Sequence, residues 1–167
     1  MKKQEPKTII HPIPPTYDKD SRILILGSFP SIKTRESGYF YGHPQNRFWK
    51  VMAVLFNEPV PVTVEDKRGL LIRSRVAAWD SIHQCTITGS SDSSIRDVIP
   101  NDLSVILKTA DIRQIFCNGR TSWNIYHKYI EPLTGRSAVS LPSTSPANAS
   151  FSLEKLVEAW SVILQSV

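Results

Sequence analysis

Four short apolar runs, each closing on a loop of small and polar residues, constrain this chain more than any other feature. They are RILILG (22–27) before GSFPS, VAAWD (76–80) inside WDSIHQC, QIFCNG (114–119) before CNGRTS, and AVSLPS (138–143) before LPSTSPANAS. Runs this short and this apolar suit strands buried on both faces. The segments between them repeat their apolar residues at helical spacing. Strands that alternate with helices imply a mostly parallel sheet covered on both sides. In such sheets ligands bind outside the carboxyl ends of the strands, so the four loops are the places to look for a site.

Phe48, Val51, Met52, Leu55 and Phe56 share one helical stripe, which predicts a helix over 46–56. TVED (63–66) has the form of a capping box and predicts a second helix to about Ser74. The span 84–100, which contains TGSSDSS, reads as loop. Asn101 is the expected cap of the helix DLSVILKTA. Further helices are expected after Gly119 to Tyr129, and from Ser152 along the stripe Leu153, Leu156, Val157, Trp160, Ile163 and Leu164. The proline-rich residues 1–21 read as an extended arm over the surface, and 22–167 as a single domain.

Several functional classes are disfavoured. No run approaches the roughly 20 apolar residues of a membrane span. The start MKKQEPKTIIHPIPP lacks the apolar stretch of a secretory signal, so the expectation is a cytoplasmic protein with no membrane partner. Cys85 and Cys117 form no CxxC pair and the four histidines are scattered, so no metal and no cofactor is expected. Phosphate-loop, dinucleotide and GxSxG signatures are absent. A net charge of +5 with a pI near 9.3 favours an anionic partner such as nucleic acid. Amides, hydroxyls, backbone N–H groups and aromatics remain in the loops. Such groups can hold a planar heterocycle and stabilise a developing anion with neutral donors.

Three ordered blocks carry a resemblance. GSFPS (27–31), GHPQNRFWKV (42–51) and STSPANAS (143–150), together with DSSIRDVIPND (92–102), resemble the uracil-DNA glycosylase superfamily, most of all its hypoxanthine-DNA glycosylase branch. HPQNRFWKV is also similar to the HPANRFWKV block of the mismatch-specific uracil/thymine branch. The resemblance covers roughly Arg22 to the C-terminus. It implies a three-layer α/β/α fold around a four-stranded parallel sheet and a metal-free monomer. The implied partner is DNA carrying a deaminated base, bacterial or archaeal in type, and the implied reaction is hydrolysis of that base's N-glycosidic bond.

By that resemblance Asn46 is the catalytic candidate, placing the attacking water or stabilising the sugar cation; its structural alternative is a helix cap. Gly27, Ser28, Phe29, Tyr41, Gly42, His43 and Asn118 are the expected base pocket. Ser143, Thr144, Ser145, Pro146, Ala147 and Asn148, with Arg120 and Arg47, are the expected DNA-binding residues. Two departures stand out. Phe29 occupies the place where several branches carry aspartate or asparagine, and Ala147 is small where others carry a bulky wedge. Three rivals remain open: mismatch uracil/thymine selectivity, a non-catalytic DNA-binding module of the same fold, and an unrelated hydrolase using the same cleft.

Overall fold

The computed structural model describes residues 4–167. Its strands, in chain order, are β1 (Pro6–Ile10), β2 (Ile23–Gly27), β3 (Val76–Asp80), β4 (Ile82–Thr88), β5 (Arg96–Pro100), β6 (Gln114–Asn118) and β7 (Ala138–Leu141). The helices are α1 (Ile32–Ser37), α2 (Phe48–Leu55), α3 (Val64–Arg73), α4 (Ser104–Thr109), α5 (Arg120–Ile125), α6 (Glu131–Thr134) and α7 (Leu153–Trp160).

The expected sheet is present. β3, β2, β6 and β7 lie side by side in that order, all parallel. Successive side chains of β2 point to opposite faces. Ile23 and Ile25 pack with Phe48, Val51, Met52, Leu71 and Trp160 from α2, α3 and α7. Leu24 and Leu26 pack with Ile106, Ile112, Tyr126 and Ile130 on the other side. All four β2 side chains are fully buried, which is why the strand reads as a continuous apolar run.

A second sheet corrects the sequence reading. The span expected to be loop contains β4 and β5, and β1 joins them in a three-stranded antiparallel sheet of order β1-β4-β5. IHQCTIT alternates buried and exposed positions imperfectly, because register shifts interrupt its pairing with β5. Part of the arm is therefore built into a sheet, while its residues 1–3 lie outside the described residues. Ile13 and Thr16 are buried, and Thr16 bridges Ala78 of β3. Only Ser81 separates β3 from β4, so this sheet springs from a strand end of the parallel one.

Two local expectations change as well. Asn101 is not a helix cap; its amide donates to the Asp80 and Ile82 carbonyls, and the Asp102 side chain accepts from Ser104 N–H instead. The polar loop after β2 contains α1, capped by Ser31. The capping box of Thr63 and Asp66 forms as expected.

Candidate active site

The carboxyl ends of β2, β3 and β6 open into a cleft of about 390 Å³. Of the expected pocket and DNA-facing residues, Gly27, Ser28, Phe29, Tyr41, Asn46, Asn118, Ser143, Thr144, Ser145 and Ala147 line it together. They come from separate sequence blocks, gathered because each block follows or faces a parallel strand end.

Asn46 sits at the centre of a side-chain relay. Its Oδ1 accepts from Phe48 N–H at 2.9 Å and from the Thr144 hydroxyl at 2.8 Å. A backbone N–H can only donate, so the Asn46 atom facing it must be the carbonyl oxygen. Thr144 Oγ1 accepts in turn from Asn118 Nδ2 at 3.0 Å, and Asn118 Oδ1 accepts from Thr144 N–H at 3.0 Å. Both lone pairs of the Asn46 oxygen are thus engaged. Its Nδ2 hydrogens have no partner among the described residues, on a side chain that lines the cleft. Arg47 flanks the first helical residue of α2, yet its side chain makes no capping bond; the Asn46 side chain supplies one from a residue earlier.

Tyr41 adopts a left-handed backbone, φ +53°, which costs an L residue about 1–2 kcal/mol. Its ring stacks on Phe48 with centroids 4.1 Å apart, which holds that conformation. The hydroxyl is buried without a partner among the described residues; Asn118 is beside it but outside hydrogen-bonding geometry. Burial, reinforced by the charge of Asp80, pushes the phenol far above its ordinary range, so it keeps its proton as a donor.

Asp80 was no candidate in the sequence, yet it closes the deep end of the cleft. Its side chain is 6% exposed, and Oδ2 lies 2.6 Å from Nε2 of His11, whose side chain is 1% exposed. Ile13 N–H donates to His11 Nδ1, so that nitrogen is bare and Nε2 carries the proton given to Asp80. Asp92 stands at the outer rim, accepting from Ser28 Oγ at 3.3 Å. The residue as a whole is exposed, while its carboxyl turns inward. Lost solvation, with a smaller push from Asp80, raises that carboxyl against the lowering hydrogen bond of Ser28. Ser90 accepts from Ile32 N–H, which ties the TGSSDSS loop over α1 as part of the wall. Among the described residues no three His, Cys, Asp or Glu side chains converge as a metal-binding set.

Phe29 is both core and cleft. It is 7% exposed and packs on Ile82, Cys85, Ile87 and Ile125, with the His11 ring edge-on to it. Other expected residues lie elsewhere. Gly42 is pinned by its N–H to Thr34 Oγ1, and the His43 ring accepts from Gln45 N–H within its own turn; neither lines the cleft. Asn148 donates to the Ser143 carbonyl, bracing the loop it belongs to, and Pro146 also falls outside the cleft wall. Arg120 is exposed, lies over the Trp123 ring and lines a neighbouring hollow that shares Ser143.

Arg47 requires the clearest correction. Expected to face DNA, its side chain turns onto the protein's own backbone instead. Its guanidinium donates to the carbonyls of Ser145, Asn148 and Phe151, and its backbone N–H to Thr144. The basic side chain of the second block is a clamp on the third.

The profile of the Uracil DNA glycosylase superfamily matches residues 14–164. A hypoxanthine DNA glycosylase of Methanosarcina acetivorans is 32% identical over 157 residues, covering 91% of this chain and 96% of the relative. One from Methanosarcina barkeri is 29% identical over 111 residues, 65% of this chain and 70% of its own. A solution NMR structure of a candidate uracil DNA glycosylase from Methanosarcina acetivorans superposes with a TM-score of 0.78 at 32% identity. The superposition covers 93% of this chain and 96% of that one.

Proposed function

The chain belongs to the uracil DNA glycosylase superfamily, and on that premise we propose that it is a monofunctional DNA glycosylase acting as a monomer. It hydrolyses the N-glycosidic bond of a flipped-out deaminated base, hypoxanthine first, and leaves an abasic site. The names of its relatives support the choice of base. The observation that carries the reaction is the Asn46 amide, locked through its oxygen with its N–H groups unspent in the cleft.

A base within a duplex is out of reach, so the nucleotide must swing out at a cost of a few kcal/mol, least for a badly paired lesion. The cleft then receives it between Phe29 and the Asn46 wall. As the glycosidic bond stretches, the sugar gains oxocarbenium character and negative charge builds on the leaving base. Asn46 Nδ2 donates to that charge, and the protonated Tyr41 hydroxyl and the second Asn118 N–H are further neutral donors nearby. With its oxygen engaged, Asn46 can hold water by donating to it but cannot accept the water's proton. An oxocarbenium ion is electrophilic enough to take unactivated water, whose shed proton passes through solvent to the anionic base that has left. This departs from the roles expected from sequence, placing the attacking water or stabilising the sugar cation: the amide is proposed as a donor to the departing base first and an orienter of water second.

The test is incubation with duplexes carrying hypoxanthine, uracil, xanthine or thymine opposite each normal base, followed by alkaline cleavage of abasic sites. Strand breaks at hypoxanthine are expected first. Breaks at none of them, with duplex binding retained, would make the protein a binding module. Uracil released ten times faster than hypoxanthine would move it to another branch.

A further inference from the structure

The wall of the cleft carries two carboxyl groups and, among the described residues, no lysine or arginine. Asp80 is engaged from behind by His11. Asp92 is different: its Oδ1 accepts from the Ser28 hydroxyl, and its Oδ2 has no hydrogen-bond partner among the described residues. The turn that carries Asp92 is braced on both sides. Ile32 N–H donates to Ser90 Oγ before it, and Thr88 N–H donates to Ser94 Oγ after it. Ile95 then packs on the cluster that holds Phe29. None of these anchors uses the Asp92 side chain. An anion on the wall of a cleft that admits a polyanion weakens binding by repulsion, and its lost solvation adds to the cost. Nothing in the resting site offsets that cost. A positive charge formed during the reaction would.

Building on the glycosylase reading, we propose that Asp92 is a further catalytic residue, the anion that stabilises the sugar cation and takes the proton of the water that attacks it. As the bond from C1′ to the base breaks, its electron pair leaves with the base and C1′ becomes cationic. The carboxylate lowers the energy of that charge in a site where water screens it poorly. A water oxygen then gives a lone pair to C1′ and forms the new C–O bond. The bonded water sheds one proton to Asp92, which releases it to solvent, and the anionic base takes up a proton from solvent. The carboxylate ends as it began. The water needs no base before the cation forms, so Asp92 acts after bond breaking. Lost solvation raises its carboxyl above the usual carboxylate range, which makes the ionised form the better proton acceptor. Asn46 cannot take this proton, because its oxygen is engaged by Phe48 and Thr144. The two groups divide the work, donors towards the base and an acceptor towards the sugar.

The test is Asp92→Asn, which keeps the size of the side chain and an oxygen for Ser28 while removing the charge. Single-turnover release of hypoxanthine is measured beside binding to a duplex carrying the 2′-fluoroarabino hypoxanthine nucleotide, which resists cleavage. Release should fall about 100-fold or more, the scale of a positioned catalytic group. Affinity should stay at the wild-type level or rise, because an anion has left the wall that DNA enters. These opposed responses separate catalysis from scaffolding, since a residue that only holds the loop or the DNA loses affinity along with rate. Release close to wild type, or rate and affinity falling together, would overturn the assignment. Should Asp92→Asn not fold, Asp92→Ala carries the test, with sodium formate supplying a free carboxylate. Its rate should rise in formate and not in sodium chloride of equal concentration; equal rates in the two salts would be fatal. The two claims fail differently. A wild type that releases hypoxanthine while Asp92→Asn keeps pace removes the role of Asp92 alone. A wild type that binds the duplex but releases no base removes the enzyme, and this role with it.

Discussion

At the scale of single residues, function and structure share atoms. Asn46 was legible in the sequence as either helix cap or catalytic amide; its oxygen does the capping, and its nitrogen, unpartnered among the described residues, is left for the chemistry proposed for it. The sequence could not reveal that Thr144 supplies the second hydrogen bond, since 98 residues separate the two. Asp80 went unassigned for the same reason: its partner His11 lies 69 residues away, in a segment without periodicity. Thr144→Val removes the hydroxyl joining Asn118 to Asn46 and should destabilise the fold by about 1–3 kcal/mol. Urea denaturation measures that, and single-turnover excision should slow by about ten-fold or more, as expected when a positioned group loosens. Wild-type values in both would dismiss the relay.

At the scale of elements, the buried strands were readable and the half-exposed ones were not. β2 is apolar throughout because both its faces are covered, whereas β4 mixes Ile, Cys and Thr with Gln and His and shifts register against β5. A strand on a small antiparallel sheet needs only one apolar face, and irregular pairing blurred even that signal. The loop 143–150 was legible as a motif but not as a braced structure. Its rigidity comes from Arg47, whose donors reach three carbonyls of the span 145–151. Arg47→Met should cost about 1.5–3 kcal/mol, the range for hydrogen bonds to a charged group. Limited proteolysis should begin within 143–151 rather than elsewhere. Thr63→Ala, which opens the capping box of α3, should cost about 1 kcal/mol and leave excision unchanged, since α3 contributes nothing to the cleft.

At the scale of the whole molecule, the parallel sheet and its loop-bearing ends followed from the order of apolar runs. The second sheet, which carries His11 to the site, did not. A net charge of +5 predicts that duplex binding weakens as salt rises, because cationic side chains displace counterions from phosphate. A flat titration between low and physiological salt would argue against a phosphate-bound complex. Cys85 and Cys117 are buried, and loss of solvation pushes their thiols up to about 11 and about 12. Near neutral pH both stay protonated and shielded. A thiol reagent should therefore label neither in the native protein and both in denaturant, and rapid native labelling would show that the core opens.

The central claim is that the Asn46 amide acts through its donors. Asn46→Asp keeps an oxygen for Phe48 N–H and Thr144 while replacing NH₂ with a second acceptor. Single-turnover release of hypoxanthine from a duplex, wild type against this variant, is the most direct measurement. The account predicts a loss of about 10²-fold or more, the scale of a positioned catalytic group, with duplex binding and melting temperature close to wild type. Release at or above the wild-type rate would contradict it, because the residue would then be acting as an acceptor.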